Sequence, residues 1–257
     1  MRIDDSSLLV ADSWLVLNGA VRSLDRHVVR FTRACLEVGV VTPQELHKFW
    51  RDAIAALPRS GAWFPRVELV GDPPELRLRI RRAPARGEDV RVWVPDAVDH
   101  RCNPTRKGPD LLALSRLRAE AAIHRAEEAL LRTVDGTVVE AATSSILWWE
   151  DDVLCSPPEE IPALAGTTAG LVKDLARASG IRTAHRARRV EELAGREVWL
   201  LNALHGIRLV TGWVGCDVDA GRGTHFRQWR EQVERLRTPL DPPAATLPYQ
   251  PLLVVEG

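Results

Sequence analysis

Lysine is almost missing from this chain. Among 35 basic residues only Lys48, Lys107 and Lys173 are lysines. Chemistry that needs a deprotonatable amine therefore has three candidates. There is one methionine and one tyrosine, Tyr249. Four cysteines, Cys35, Cys102, Cys155 and Cys216, lie far apart and form no C-x-x-C pair. That spacing argues against a disulfide scaffold or a zinc site, and a reducing cytoplasm is the expected setting. No apolar run approaches the roughly 18 residues of a membrane span, and the opening stretch lacks the apolar region of a signal peptide. Neither sign of charge dominates, because 35 basic residues balance 35 acidic ones. A dedicated nucleic-acid or anionic-membrane binder is disfavoured on that count. The arginines also alternate with acids, as over 227–235, so no basic stripe forms. There is no H-E-x-x-H, G-x-S-x-G or Walker motif, and the histidines show no metal-ligand spacing. Gly221-Arg222-Gly223 lacks the βαβ context of a phosphate loop and reads as a turn.

What remains is an ordinary globular composition. With 45% hydrophobic and 27% charged residues in 257, the chain has material for one or two cored domains. Residues 7–16 read as a strand, and Asn18-Gly19 is a hairpin signal. A helix is expected over 25–37. Thr42-Pro43-Gln44-Glu45 is a capping box that opens a second helix to about residue 57. Alternating apolar and charged residues predict half-buried strands at 63–70, 75–81 and 90–94. Two prolines and little periodicity over 95–106 mark the expected boundary between a small domain, 1–100, and a larger one, 101–257. The second part opens with a helix over 110–125, with Leu111, Leu114, Ala121 and Ala122 on one face. Strands follow at 128–134, 137–140, 144–149 and 153–155. A helix after Gly166-Thr167-Thr168 runs to about 179, strands are expected at 198–201 and 206–213, and a last helix at 225–236. The tail from residue 238 is expected to be irregular. Antiparallel signals with interspersed helices give an α+β fold in two domains.

Several residues could carry chemistry. Lys107 sits between Pro104 and Gly108-Pro109, so turn residues fix its backbone, whereas Lys48 and Lys173 lie within helices and read as surface charges. A nucleophilic lysine needs burial or a cationic neighbour to lower its pKa, and Arg101 and Arg106 are near in sequence. Gly166-Thr167-Thr168 opens a helix, where free N–H groups attract an anion such as phosphate. An ordinary threonine cap would look the same. Glu140 ends a strand before the small residues 141–145. It could pair with a ring-nitrogen cation, or simply face water. His27 and Arg30 share a helix face, and Arg30 could grip a phosphate bidentately. Asn202-Ala203-Leu204-His205-Gly206 joins two strands. His205 could be catalytic, though a loop histidine in water is the plainer reading.

Taken in order, these stretches resemble the class IV (fold type IV) pyridoxal-phosphate enzymes. That family includes branched-chain and D-amino-acid aminotransferases and aminodeoxychorismate lyase. The resemblance runs from about residue 12 to 213. His27-Val28-Val29-Arg30-Phe31 is similar to the family's H-x-x-R-L, whose arginine holds the cofactor phosphate. Arg101-Cys102-Asn103-Pro104 followed by Lys107 resembles the approach to the Schiff-base lysine. From Lys107 to Ala126-Glu127-Glu128-Ala129-Leu130 the spacing matches that from lysine to A-D-E-A-L. The stretch 135–145 resembles D-G-x-V-x-E-x-x-x-x-N, which puts Glu140 at the pyridine nitrogen and Ser145 where asparagine is usual. Leu164-Ala165-Gly166-Thr167-Thr168 resembles the phosphate cradle L-P-G-I-T. The stretch 202–210 resembles the loop whose residues, here Asn202, Ala203 and Leu204, line the phosphate and substrate-carboxylate region. The chain also departs from the pattern. Its amino-terminal stretch is short, and Asp12-Ser13 stands where Glu-Thr is usual. The arginine-glycine-tyrosine motif is absent, and Ala169 stands where arginine is common.

The resemblance implies a two-domain fold type IV enzyme of the D-amino-acid aminotransferase type, with mixed and antiparallel sheets flanked by helices. It implies pyridoxal 5'-phosphate as cofactor and Lys107 as catalytic residue. Arg30, Lys107, Glu140, Ser145, Gly166, Thr167, Thr168, Asn202 and Ala203 would hold the cofactor, and Ser13, Leu204 and His205 would meet an amino-acid or keto-acid substrate. A cytoplasmic homodimer is the family expectation. Nine tryptophans, including Trp148-Trp149, would suit an interface, but most read as core. An aminotransferase leads. A lyase similar to aminodeoxychorismate lyase would use the same cofactor residues. A non-catalytic member of the fold would have no physical reason to keep Lys107 and Glu140 at matching spacings.

Overall fold

The computed structural model describes residues 8–240. Strand β1 (Leu8–Ser13) breaks at Trp14 and Leu15, and β2 (Val16–Leu17) and β3 (Ala20–Arg22) form the expected hairpin. Asn18 and Gly19 both take positive φ there, 47° and 72°, as a type I′ turn requires. Helix α1 (Leu24–Val38) ends at Gly39, and α2 (Pro43–Ala55) starts at the predicted capping box, with Thr42 and Glu45 bonded reciprocally. The run expected as one strand over 63–70 is two strands, β4 (Ala62–Trp63) and β5 (Arg66–Val70). Pro65 lies in the break, where it has no N–H for a ladder. Strand β6 (Glu75–Arg79) completes an antiparallel sheet in the order β1-β5-β6. Trp14, Phe31, Leu46, Trp50, Val67 and Leu69 form the core beneath α1 and α2.

The remaining elements are β7 (Asp89–Trp93), α3 (Leu111–Ile123), β8 (Glu128–Arg132), β9 (Val138–Ala141), β10 (Ser145–Glu150), β11 (Val153–Ser156), α4 (Thr167–Ala178), β12 (Arg182–His185), β13 (Val198–Asn202), β14 (Gly206–Val214), α5 (Phe226–Arg235) and β15 (Arg237–Pro239). Strands β7 to β14 make one mixed sheet in the order β12-β11-β10-β13-β14-β7-β8-β9. The sheet curls, so that Val138 of β9 donates its N–H to Arg188 O just beyond β12, at 2.8 Å. Val92, Leu130, Trp148, Leu200 and Val210 fill the inside of the curl. Helices α4 and α5 cover the other face, where Val172, Phe226 and Trp229 meet Trp149, Trp199 and Leu201. Trp148 and Trp149 are thus both core residues, each buried side chain of this kind contributing roughly 1.5–3 kcal/mol.

Three expectations shift. Strand β7 lies within the small domain expected over 1–100, yet it pairs in parallel with β14 and β8. Its alternation of Val90, Val92 and Val94 with charged residues serves the core of the large sheet, so that sheet begins before residue 100. Helix α3 buries only Ala121, and Ala122 is exposed. Its Leu111 and Leu114 are half-buried against two small apolar clusters and also line a cavity. The tail is regular at its start, because β15 pairs with β3 to give a sheet ordered β15-β3-β2-β4. The rest of that expectation, from residue 241, lies outside the described residues.

Candidate active site

One cavity of about 630 Å³ lies where the small sheet, α3 and the large sheet meet. All twelve residues singled out from the sequence line it: Ser13, Arg30, Lys107, Glu140, Ser145, Gly166, Thr167, Thr168, Asn202, Ala203, Leu204 and His205. They come from β1, α1, the loop before α3, β9, β10, the start of α4 and the β13–β14 turn.

Lys107 is pinned through its backbone. Ala11 N–H of β1 donates to Lys107 O at 2.7 Å. Gly108 follows, and a Cβ there would lie 2.8 Å from Leu9 O and 2.9 Å from Val10 Cα. Asp110 holds the loop from the other end, accepting from Cys102 N at 3.0 Å and Asn103 N at 2.8 Å. The Lys107 amine has no ion-pair partner among the described residues. Burial lowers its pKa to about 8, helped by Arg30 and Arg66 and opposed by Asp12 and Glu140.

Arg30 reaches the cavity because Asp12 holds it. Its Nε donates to Asp12 Oδ2 at 2.9 Å and its Nη2 to Oδ1 at 2.8 Å. Its Nη1 donates to Ala165 O at 3.0 Å, which joins α1 to the loop before α4. His27 Nδ1 lies 2.8 Å from Asp12 Oδ1, and its Nε2 lies 3.3 Å from Thr167 Oγ1. Asp12 is fully buried. Burial opposes its ionisation, but Arg30 and His27 hold its carboxyl well below the usual range. The expected H-x-x-R face is thus one three-residue cluster with Asp12, which composition and spacing did not single out.

Helix α4 begins without any side-chain cap at Gly166 and with no acid in its first turn. The ordinary threonine cap weighed above is therefore not what is built, and the first N–H groups are left for an outside acceptor. A Cβ on Gly166 would overlap Ser145 Oγ, so the glycine lets Ser145 keep its present rotamer where β10 meets α4.

Glu140 is buried, not facing water. Its Oε1 accepts from Arg101 Nη1 at 2.5 Å and from Leu164 N–H at 3.1 Å. Burial raises its pKa, and Arg101 opposes the rise. Arg101 in turn grips Asp99 with Nε and Nη2, at 3.0 and 2.6 Å.

The β13–β14 turn is held from behind. Arg22 Nη2 donates to Ala203 O at 3.0 Å, Arg86 Nε to Leu204 O at 3.1 Å, and Arg230 Nη1 to His205 O at 3.0 Å. Glu234 gathers Arg22, Arg86 and Arg237. In a trans peptide the N–H points opposite the carbonyl, so fixing Ala203 O outward turns the Leu204 N–H the other way. Asn202 braces the turn, accepting His205 N–H at 2.8 Å and donating to Ser144 Oγ at 3.0 Å. His205 is not a loop histidine in water. Its Nδ1 accepts Gly87 N–H at 3.0 Å. Burial, with Arg208 and Arg86 nearby, pushes its pKa down to about 3, so it is neutral and cannot supply a proton at ordinary pH. The arginines behind this turn come from distant parts of the chain, and no local pattern marks them.

The geometry sits in a known architecture. A search of curated proteins gives no match. Among solved structures, a branched-chain aminotransferase from Thermoproteus uzoniensis with norvaline superposes with TM-score 0.78 at 20% identity, covering 90% of each chain. A hypothetical aminotransferase from Mycobacterium tuberculosis, in its PLP-bound form, gives 0.76 at 20%, over 91% of this chain and 89% of that one. A putative 4-amino-4-deoxychorismate lyase from Legionella pneumophila gives 0.72 at 14%, over 88% and 90%. These likenesses establish the fold, which is fold type IV. The family profile described as "Amino-transferase class IV" matches residues 9–213, and this chain belongs to the class IV aminotransferase family.

Proposed function

We propose that the chain is a pyridoxal-phosphate-dependent aminotransferase that moves an amino group between an amino acid or amine and a keto acid. One observation carries the reading. An amine with a lowered pKa, a buried carboxylate and an uncapped helix N-terminus face one cavity of about 630 Å³. Those are the three things a pyridoxal-phosphate site needs: a covalent anchor, an acid for the ring nitrogen and an anion cradle. The cradle is also one that a Cβ would fill, at Gly166. The residues present therefore fit the group. When bound, it would supply an electron-accepting ring that stabilises negative charge at the substrate α-carbon.

The chain's own residues do the rest. Lys107 would hold the cofactor covalently and, once free, move a proton at the substrate α-carbon through Nζ. Glu140 would hold the proton of the ring nitrogen. Gly166, Thr167, Thr168 and Arg30 would bind the phosphate, with Ser145 packed behind Gly166. Asn202 and Ala203 would shape the same wall, and Leu204 its substrate side. Ser13 and the neutral His205 would line the substrate's approach. The family resemblance also supports a homodimer, which sedimentation at working concentration checks, and a cytoplasmic location, which fractionation of the cell checks.

The test is an absorbance spectrum of the purified protein with pyridoxal phosphate, then borohydride reduction and peptide mapping. A visible band and a reduced adduct on Lys107 are expected, and Lys107→Ala should lose both. An adduct on Lys48 or Lys173, or no band, would favour the non-catalytic reading. A Lys107 adduct whose turnover needs no amino acceptor would favour the lyase.

A further inference from the structure

Arg101 belongs to none of the roles assigned above, yet its charged side chain is firmly anchored at the cavity. It is 6% exposed and bonded to two carboxylates. Asp99 takes Nε and Nη2, which fixes the guanidinium plane and leaves Nη1 aimed at Glu140 Oε1. Leu164 N–H occupies the same oxygen. Oε1 is therefore bound twice, while Oε2 has no partner among the described residues and is the oxygen free to serve the cavity. The charged groups that act on Glu140 are Arg101, Asp99 behind it, and Lys107 across the cavity.

A buried carboxylate tends to stay protonated, and a bonded cation opposes that tendency. A proton shared between a carboxylate and a ring nitrogen sits on the stronger base. We propose that Arg101, braced by Asp99, is a positioning residue that fixes Glu140 and keeps it ionised, so that the shared proton stays on the cofactor's ring nitrogen. This rests on the proposed function. It adds a residue of this chain that acts only through Glu140.

The experiment is nitrogen-15 NMR of the protein loaded with ring-labelled pyridoxal phosphate. Wild type should show a protonated pyridine nitrogen at neutral pH. Arg101→Met should move the resonance toward the unprotonated position, and Arg101→Lys, which keeps the charge, should return it at least half-way. A merely structural arginine would weaken cofactor retention in both variants and leave the resonance where it is. An unmoved resonance in loaded Arg101→Met overturns this inference alone. A wild-type protein that binds no pyridoxal phosphate overturns the proposed function and this inference together. Should the variants fail to fold, wild-type apoprotein labelled with carbon-13 in glutamate side chains decides. An ionised Glu140 carboxylate at neutral pH supports the role, and a protonated one overturns it.

Discussion

A lysine amine is a nucleophile only when neutral, and at an ordinary pKa near 10.4 almost none is neutral at pH 7. Lys107 escapes that limit. Burial lowers it first, and Arg30 and Arg66 follow. Covalent capture of pyridoxal phosphate should accelerate as pH rises through about 8 and level off above it. Arg30 is bonded to Asp12 and is proposed to hold the phosphate, so Arg66 is the residue to change. Arg66→Met removes one cation, the Lys107 pKa rises, and capture at pH 7 should slow by roughly two- to tenfold, one unit being tenfold. Stopped-flow absorbance against pH reads this directly, and coincident profiles would refute it. No inflection from His205 is expected near neutrality, because its imidazole is already neutral there. At this scale the sequence showed which lysine to choose, through the turn residues around it. It could not show the environment of His205, because the arginines and the Gly87 N–H that surround it come from other segments.

The elements were legible wherever a local signal decides them. The Thr42–Glu45 capping box and the Asn18-Gly19 turn appear as read, and β7 alternates in burial as expected, whereas the run over 63–70 splits at Pro65 and β6 ends at Arg79. Errors arose where partners decide. Strand β7 has the same alternation whichever sheet it joins, so its pattern could not assign it to the large one. Strand β12, absent from the sequence reading, is a four-residue edge strand with no buried residue, which leaves no hydrophobic period to detect. The start of α4 was ambiguous for a different reason. A threonine at a helix start signals a cap and an anion site alike, and only the structure shows the side-chain cap to be missing. A test at this scale follows from Gly166. Gly166→Ala drives a methyl group into Ser145 Oγ and to 3.3 Å from Ser145 Cβ, so the hydroxyl must swing away and β10 must give by a few tenths of an ångström. A loss of about 1–3 kcal/mol in stability is expected, with pyridoxal-phosphate affinity falling at least tenfold. Ser145→Gly in the same chain removes the clash and should restore most of the stability, by thermal melts. Equal melts for single and double variants would show that the contact is not what limits the site.

At the scale of the whole molecule, the cavity residues were legible but the frame that holds them was not. The twelve lie in short stretches whose order along the chain is informative. Several of their supports are ion pairs between residues far apart in sequence, which leave no pattern. Glu234 shows this best. It sits on α5 and binds Arg22 of β3, Arg86 of the loop before β7, and Arg237 of β15. Two of those arginines hold the carbonyls of the β13–β14 turn. Burial opposes the charge on Glu234, but Arg22, Arg237 and Arg86 prevail and bring its pKa down to about 2. A carboxyl whose folded pKa lies below its unfolded one stabilises the protein above the unfolded value. That contribution is lost as pH falls from about 4.5 toward 2. Glu234→Gln should therefore cost about 2–4 kcal/mol at pH 7, because it leaves arginines without their carboxylate. The gap from wild type should narrow steadily below pH 4, since wild type is then losing the same charge. Urea unfolding at pH 7 and pH 3.5 measures both gaps, and a gap that does not change with pH would show that the ion cluster is not the source. The variant should also retain pyridoxal phosphate less well at pH 7, because the turn that carries Ala203 and Leu204 loses its backing while Lys107, Glu140 and Gly166 keep theirs.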